Sequence, residues 1–158
     1  MIEEKTYYLT KDGLKRIKKE YEDLQQIKLM KSRGEAPKIL HSEDVDPDYL
    51  ALQEDLSLLD IKIAELETIL KNTRLIKTPL KIEQGTINLG ATVLVSINGN
   101  DDEFTIVGTL EANPAQGKIS NESPVGQVLL GKTVGEEIKL NAPTRTTYKI
   151  KKISYITS

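Results

Sequence analysis

The chain has 158 residues, no cysteine, 38% hydrophobic residues and a formal net charge of −2. These values exclude disulfides, thiolate metal sites and a cysteine nucleophile, and they argue against general nucleic-acid binding. No apolar run is long enough to cross a membrane and the N-terminal residues MIEEKTYYLT contain no hydrophobic leader, so we expect a soluble, cytoplasmic protein.

The first predicted element is a helix that begins after Thr10, which is a suitable N-cap. Gly34 and Pro37 are expected to end it, because Gly favours a C-cap and Pro cannot continue the hydrogen-bond ladder. A basic group on this helix forms either a contact surface or a solvated face: Lys15, Arg16, Lys18 and Lys19. The apolar stripe recurs every three or four residues at Leu14, Ile17, Tyr21, Leu24, Ile27 and Met30.

The next segment, HSEDVDPDYL, is strongly acidic. Residues 41–60 contain seven Asp and Glu and no Lys or Arg. Four of these acids occupy six positions, at Glu43, Asp44, Asp46 and Asp48. Carboxylates this close together repel one another, so the segment is either a solvated turn or a site that meets a cation.

A second helix follows, with its apolar residues spaced alternately by four and three. This spacing is typical of a coiled-coil seam, and neither stripe can be buried by its own helix, so we predict an antiparallel hairpin with arms of roughly 35–40 Å. Pro47 suits the first turn of this helix, with Asp46 as N-cap and Asp48 near the positive end of the dipole, which is a purely structural explanation for two of the acids. The predicted seam consists of Leu52, Leu56, Leu59, Ile63, Leu66 and Leu70.

The C-terminal half predicts a small antiparallel sheet with one short helix. Residues 77–86 are interpreted as a linker because they contain Pro79 and Gly85. Strand signals follow in TVLVSI, EFTIVGTL, EEIKL and TTYKIKKISYI, with NGND as the turn between the first two. Ser123 and Pro124 are suited to start the short helix and Gly131 to end it, with Leu129 and Leu130 packing inward.

These segments resemble the bacterial Gre transcript-cleavage factors. The similar segments are LGATVLVSI at 89–97, the run from EFTIVGTL to LNAP at 103–143, and the closing TTYKIKKISY. The most specific pattern is I-S-x-x-S-P-x-G-x-x-L-L-G-K from Ile119 to Lys132, and residues 8–24 are similar to the family's first helix. The resemblance implies an α+β fold with an N-terminal antiparallel coiled-coil hairpin and a small FKBP-like antiparallel β-sheet domain with one short helix. The expected domains are 1–76 (hairpin, acidic tip at about 34–49), 77–86 (linker) and 87–158 (RNA-polymerase docking).

In this family the hairpin enters the secondary channel of RNA polymerase and the sheet domain docks near the channel mouth. The resemblance implies that the chain is not itself an enzyme but activates the polymerase's own hydrolysis of RNA. Mg²⁺ takes oxygen ligands and commonly only one or two from protein, so an acidic tip is chemically suited to share it. We expect a monomer that binds no metal alone and meets the nascent RNA 3′ end and DNA only through the polymerase.

The resemblance assigns roles to three groups of residues. Glu43, Asp44 and Asp46 are expected to share the Mg²⁺ with the polymerase, and Asp48 is a fourth tip acid. Ser123, Pro124 and Gly126 are expected to dock on the polymerase, although capping of the short helix also explains these residue types. Contact with RNA or the channel walls is expected for the basic group, Lys15, Arg16, Lys18 and Lys19.

The tip departs from the family pattern Gly-Asp-Leu-x-Glu-Asn-Ala-Glu-Tyr. When Asp48 and Tyr49 are matched to its end, Ser42 and Val45 fall where the family has its two functional acids. Because acids remain close by, at Glu43, Asp44 and Asp46, stimulation of RNA cleavage is our first prediction. The departures at Ser42 and Val45 make inhibition or simple occupancy of the channel the alternative. An independent prolyl isomerase is disfavoured, because the C-terminal half offers few aromatic residues, and a plain coiled-coil scaffold predicts indifference to loss of the tip acids.

Overall fold

The computed structural model describes residues 4–33, 47–141 and 144–156. The chain divides into two compact units. The hairpin unit comprises Met1–Lys5 and Asp12–Thr73, and the sheet unit comprises Thr6–Lys11 and Arg74–Ser158. The short segment that precedes the first helix therefore groups with the C-terminal half, which the sequence did not predict. No helix within the described ranges is long and apolar enough to cross a membrane.

The hairpin unit contains α1 (Lys11–Arg33) and α2 (Pro47–Lys71). The start of α1 directly after Thr10 and the start of α2 at Pro47 agree with the sequence prediction. The predicted seam of α2 is confirmed, since every seam residue is buried or half-buried while its immediate neighbours are mostly exposed. Leu66 is the most buried of them, at 1% exposure.

The apolar stripe predicted for α1 is wrong in its second half. Ile27 is 42% exposed and Met30 is 71% exposed, whereas Lys28 and Lys31 are half-buried. The seam thus keeps the alternating three–four spacing of a heptad from Leu14 onward and runs through the two lysines. Lysine tolerates such positions because its aliphatic stem packs against apolar surface while the ammonium group reaches a carboxylate.

The sheet unit contains a five-stranded sheet with strand order β5-β4-β3-β7-β6. A separate two-stranded sheet pairs β1 with β2. The α+β architecture is confirmed, but the main sheet is mixed rather than purely antiparallel, because β5 joins β4 in parallel. The strands are β1 (Tyr7–Leu9), β2 (Thr73–Leu75), β3 (Ala91–Ile97), β4 (Asn100–Val107), β5 (Lys118–Ser120), β6 (Glu137–Leu140) and β7 (Thr146–Tyr155).

The turn between β3 and β4 is tighter than predicted. Ile97 pairs with Asn100, so only Asn98 and Gly99 form the loop, and both have positive φ, at 50° and 91°. Two consecutive positive φ values belong to a two-residue hairpin turn whose twist matches that of the flanking strands. Asn100 and Asp101 are consequently strand residues rather than turn residues.

A β-bulge explains the irregular apolar pattern of β7. Val95 pairs with Ile150 and Leu94 with Lys152, which leaves Lys151 as the extra residue. A bulge of one residue shifts the alternation of faces, so inward positions continue at Ile153. Lys151 forms an ion pair with Asp101, with Nζ and Oδ1 2.8 Å apart.

The core of the sheet unit is aliphatic and lies on one face of the main sheet. The helix α3 (Pro124–Leu129) covers this face, with Leu129 fully buried. The other buried members of the core are Ile87, Ala91, Val93, Val95, Ile106, Ile138 and Ile150.

Candidate interaction sites

The predicted acidic tip lies mostly outside the described residues. Glu43, Asp44 and Asp46, the expected Mg²⁺ ligands, belong to the segment 34–46 that the structure does not describe. Asp48 lies in the first turn of α2 and is exposed. Its carboxylate is near the positive end of the helix dipole, as predicted. Across residues 4–33, 47–141 and 144–156, no group of three His, Asp or Glu side chains is arranged to hold a metal ion.

Two acids of the acidic stretch 41–60 form contacts between the two helices of the hairpin. Asp60 forms an ion pair with Lys28, and Asp55 accepts a 3.0 Å hydrogen bond from Lys31 Nζ. All four side chains are about half exposed, so each pair contributes little to stability. The pairs do show which residues of α1 face which residues of α2, because a shift by one turn would oppose each lysine to a different partner.

The same register continues towards the base of the hairpin. Tyr21 Oη donates to Glu67 Oε1 at 3.4 Å, which again pairs an earlier residue of α1 with a later residue of α2. The antiparallel register places Arg33 and Pro47 at the same end of the hairpin unit. Asp48 is therefore at that end as well, whereas Asp55 and Asp60 pair with lysines of the opposite helix.

The basic group on α1 lies away from that end. Lys15, Arg16, Lys18 and Lys19 are all exposed and occupy the first three turns of α1, off the seam. At 1.5 Å per residue they are roughly 20–27 Å along the helix from Arg33. The basic group therefore lies well back along α1 from Arg33, where that helix ends.

The predicted docking residues form a rigid turn in the sheet unit. We call Ser120–Pro124 the docking turn. Ser123 is the N-cap of α3: its Oγ accepts from Gly126 N at 3.1 Å and donates to Ser120 O at 2.7 Å. Pro124 is the first residue of α3 and is exposed, whereas Gly126 is buried. Ser123 and Gly126 therefore build the turn, and Pro124 is the predicted residue that the turn presents to solvent.

Gly126 is fixed by a close approach of the backbone. A Cβ at this position would overlap the carbonyl oxygen of Ser120 and lie 3.0 Å from Ser123 Oγ. The turn and the first turn of α3 are thus packed backbone against backbone, and only a residue without a side chain permits this. This close packing explains why residue 126 is a glycine, independently of the docking role that the family resemblance implies for it.

Three further polar residues fix the docking turn and were not found from the sequence. Thr109 Oγ1 donates to Glu122 Oε2 at 2.7 Å and is 2.9 Å from Ser120 Oγ. Glu122 N donates to Ser120 Oγ at 3.0 Å. Thr109 is 11 residues from Ser120 and 13 from Glu122, so no local pattern reveals the cluster. The parallel pairing of β4 with β5, which sets Val107 opposite Ser120, brings the two segments together.

The site and fold together define a two-part protein: a helical hairpin with Asp48 at its end, and a sheet unit that presents a hydrogen-bonded turn. Residues 82–155 match the family described as "Transcription elongation factor, GreA/GreB, C-term". Similarity to characterised relatives extends over nearly all of the chain. The transcription elongation factor GreA of Shouchella clausii is 34% identical over 154 residues, covering 90% of this chain and 92% of that protein. The chain belongs to the GreA/GreB family of transcription elongation factors.

Two further relatives by sequence give the same result, and a solved structure also has some likeness. GreA of Clostridium acetobutylicum is 35% identical over 147 residues, covering 90% of this chain and 92% of that protein. GreA of Acholeplasma laidlawii is 33% identical over 160 residues, covering 98% and 100%. Among solved structures, the GreA factor homolog 1 protein of Thermus thermophilus is 24% identical with a TM-score of 0.41, covering 95% of this chain and 99% of that one.

Proposed function

We propose that this protein binds RNA polymerase through its sheet unit, inserts the hairpin into the secondary channel and stimulates cleavage of the 3′ RNA in backtracked complexes. Family membership over nine-tenths of the chain supports the role in transcription elongation. In this proposal the protein acts in the cytoplasm. The protein is not an enzyme in this account. It activates hydrolysis that the polymerase itself performs.

The observation that carries the proposal is the fixed register of the hairpin. The α1 and α2 helices have 23 and 25 residues, so each arm is about 35 Å long at 1.5 Å per residue. The register is antiparallel along the arm, with Lys28–Asp60 and Lys31–Asp55 near its end and Tyr21–Glu67 nearer its base, and the buried seam of α2 packs in this register. A stiff arm of this length is suited to deliver carboxylates into a narrow channel without folding in the process.

The tip carboxylates are the proposed ligands of a Mg²⁺ ion shared with the polymerase. Glu43, Asp44 and Asp46 supply hard oxygen donors, and Mg²⁺ commonly takes only one or two such ligands from protein. A second metal ion bridged in this way would stabilise the attacking and leaving oxygens of the RNA phosphodiester. The repulsion among the crowded acids would be relieved by the shared cation.

The docking turn is the proposed contact of the sheet unit with the rim of the channel. Ser123 and Gly126 shape the turn, while Pro124 faces solvent. The exposed basic group on α1 is proposed to face acidic channel walls. Because the basic group is far from Arg33 along α1, we propose that the group and the tip contact different regions of the polymerase. A contact of the basic group with RNA would then lie away from the RNA 3′ end.

A second candidate function is inhibition of the polymerase or occupancy of its channel. The observation that favours it is the tip sequence, in which Ser42 and Val45 replace the two acids of the family pattern. In this case the hairpin would fill the channel, and its displaced carboxylates would not place the attacking water.

A backtracked elongation complex with 5′-labelled RNA tests both candidates. Under the first, added protein shortens the transcript from its 3′ end, Asp44→Ala loses most of this effect, and Glu83→Ala, which removes an exposed acid of the sheet unit, retains it. Slowed elongation without shortening would establish the inhibitor. Unchanged shortening by Asp44→Ala would remove Asp44 from the mechanism.

A further inference from the structure

The far part of the hairpin exposes large apolar side chains on both of its helices. Four such residues are between 42% and 71% exposed, and we call them the apolar patch: Ile27 and Met30 of α1, and Leu58 and Ile61 of α2. The two residues on each helix are three apart, so their side chains are neighbours on the helix surface. The antiparallel register, in which Lys28 pairs with Asp60, places both halves of the patch at the same level of the hairpin.

The hydrogen bond between Lys31 and Asp55 shows that the two halves lie on the same side of the seam. Ile27 is four residues before Lys31, and Leu58 is three residues after Asp55, so each is a neighbour of one member of this pair. Leu29 is also 43% exposed, but it is about 200° around α1 from Ile27 and therefore lies on the opposite flank.

The size of the apolar patch indicates one part of a larger interface. Four side chains with these exposures present on the order of 400 Å², which is within the range of about 300–600 Å² for the largest and often functional patches of a monomer. Two copies of the chain that met only through this patch would bury roughly 800 Å² in total, which is below the roughly 1,200 Å² at which stable interfaces begin. A different and larger partner surface therefore fits the patch better than a second copy does.

The position of the patch indicates which partner this is. Met30 and Ile27 lie only roughly 5 and 9 Å along α1 from Arg33, where the helix ends. In the proposed function this part of the arm is inside the polymerase. We infer that the apolar patch packs against an apolar surface of the channel wall, and that this contact fixes the rotation of the hairpin about its long axis. The inference rests on the proposed function, because it assumes that the hairpin enters the channel.

The opposite flank of the hairpin explains why one rotation is favoured. Asp60 is two residues after Leu58, so it is about 200° away around α2, and it forms its ion pair with Lys28 there. Half a turn of the hairpin would leave the patch in water and press this charged pair against the wall. Loss of buried apolar area and removal of water from the charges both oppose that turn. The tip acids would thus enter the active centre from one defined direction.

Oxidation of Met30 by hydrogen peroxide tests whether the polymerase covers the patch, because a thioether reacts only where the oxidant reaches it. Met30 is 71% exposed, so in the free protein it should oxidise at nearly the rate of the urea-unfolded chain. In a complex with the cognate core RNA polymerase we expect the rate, followed by peptide mass spectrometry, to fall about tenfold. An unchanged rate in a complex that has demonstrably formed would overturn the inference. Protection in the free protein would overturn it as well, and would assign the patch to a second copy if the protection increases with protein concentration, or to the chain itself if it does not.

The affinity of full-length variants for core RNA polymerase tests which side of the hairpin makes the contact. Ile27→Gln and Leu58→Gln should each raise the Kd about three- to tenfold, because a polar amide would face the apolar wall. Leu29→Gln is the matched control, since Leu29 and Ile27 are almost equally exposed, and it should bind within about twofold of the wild type. Thermal melts of the three variants should resemble that of the wild type, because these side chains are already exposed to water. Equal effects of Ile27→Gln and Leu29→Gln, or wild-type affinity for both Ile27→Gln and Leu58→Gln, would overturn the inference.

The wild-type protein separates this inference from the proposed function. A wild type without measurable affinity for polymerase would refute the proposed function and the inference with it. A wild type that binds and shortens backtracked RNA, but whose Met30 oxidises equally fast in the free protein and in the complex, would refute the inference alone.

Discussion

Substitution of Gly126 by alanine should destabilise the sheet unit strongly. The added Cβ would overlap the Ser120 carbonyl oxygen and lie 3.0 Å from both Ser120 C and Ser123 Oγ. Because ordinary contact of a Cβ begins at 3.4 Å, the two segments must separate by about 1 Å or more. This separation breaks the Ser123 cap of α3 and disturbs Leu129, which is fully buried three residues later.

The size of the effect follows from two contributions. Overpacking in a well-packed region costs about 1–3 kcal/mol, and loss of a serine N-cap costs about 1 kcal/mol. The free energy of unfolding of Gly126→Ala should therefore fall by about 2–4 kcal/mol in urea or guanidinium titrations followed by circular dichroism.

The matched control for this prediction is Gly85→Ala. A Cβ at Gly85 meets no atom within 4 Å, and its φ lies outside the left-handed range. Alanine there should be neutral or stabilise the protein by up to about 1 kcal/mol, because it reduces the entropy of the unfolded chain. A loss below about 1 kcal/mol for Gly126→Ala, or equal losses for the two variants, would refute the packing described for the docking turn.

Three further predictions concern the hairpin and the helix cap. Leu66→Ala should lower the stability of the hairpin by about 2–4 kcal/mol in thermal melts, whereas Leu58→Ala, at a 66% exposed position, should change it by less than about 0.5 kcal/mol. Lys28→Leu should stabilise the hairpin by about 1 kcal/mol in the same melts, because a seam position gains apolar burial and the exposed pair with Asp60 contributes little; a loss of stability would contradict the seam assignment. Ser123→Ala should cost about 1 kcal/mol in denaturant titrations through the lost α3 cap, and no loss would show that the cap does not form in solution.

The α2 helix could be predicted from the sequence because its pattern is local. Leucines and isoleucines spaced by four and three from Leu52 to Leu70 indicate a seam whatever they pack against. The α1 helix itself could also be predicted, but not which residues of its last two turns are buried, because Ile27 and Met30 imitate an apolar stripe while Lys28 and Lys31 occupy the seam. Only the acids of the facing helix make lysine acceptable there, and their alignment depends on the hairpin register.

The sheet unit shows the same limit. The β3–β4 hairpin and the α3 cap have strong local signals in Asn98-Gly99 and Ser123-Pro124, and the structure confirms both elements. The strands β1, β2 and β5 have only three residues each, which is too short for an alternating pattern to be detected. The hydrogen bonds among Thr109, Ser120 and Glu122 could not be predicted either, because the parallel pairing of β4 with β5 brings these residues together. The tip acids Glu43, Asp44 and Asp46 remain sequence predictions, because they lie outside the described residues.

The central claim is that the end of the hairpin reaches the active centre of RNA polymerase. A photo-crosslinking amino acid at Val45, between the predicted metal ligands, tests this directly in a backtracked elongation complex. We predict a crosslink to the 3′ end of the RNA or to the polymerase residues around its catalytic Mg²⁺. Crosslinks confined to the outer surface of the polymerase, from protein that is demonstrably bound, would contradict the account.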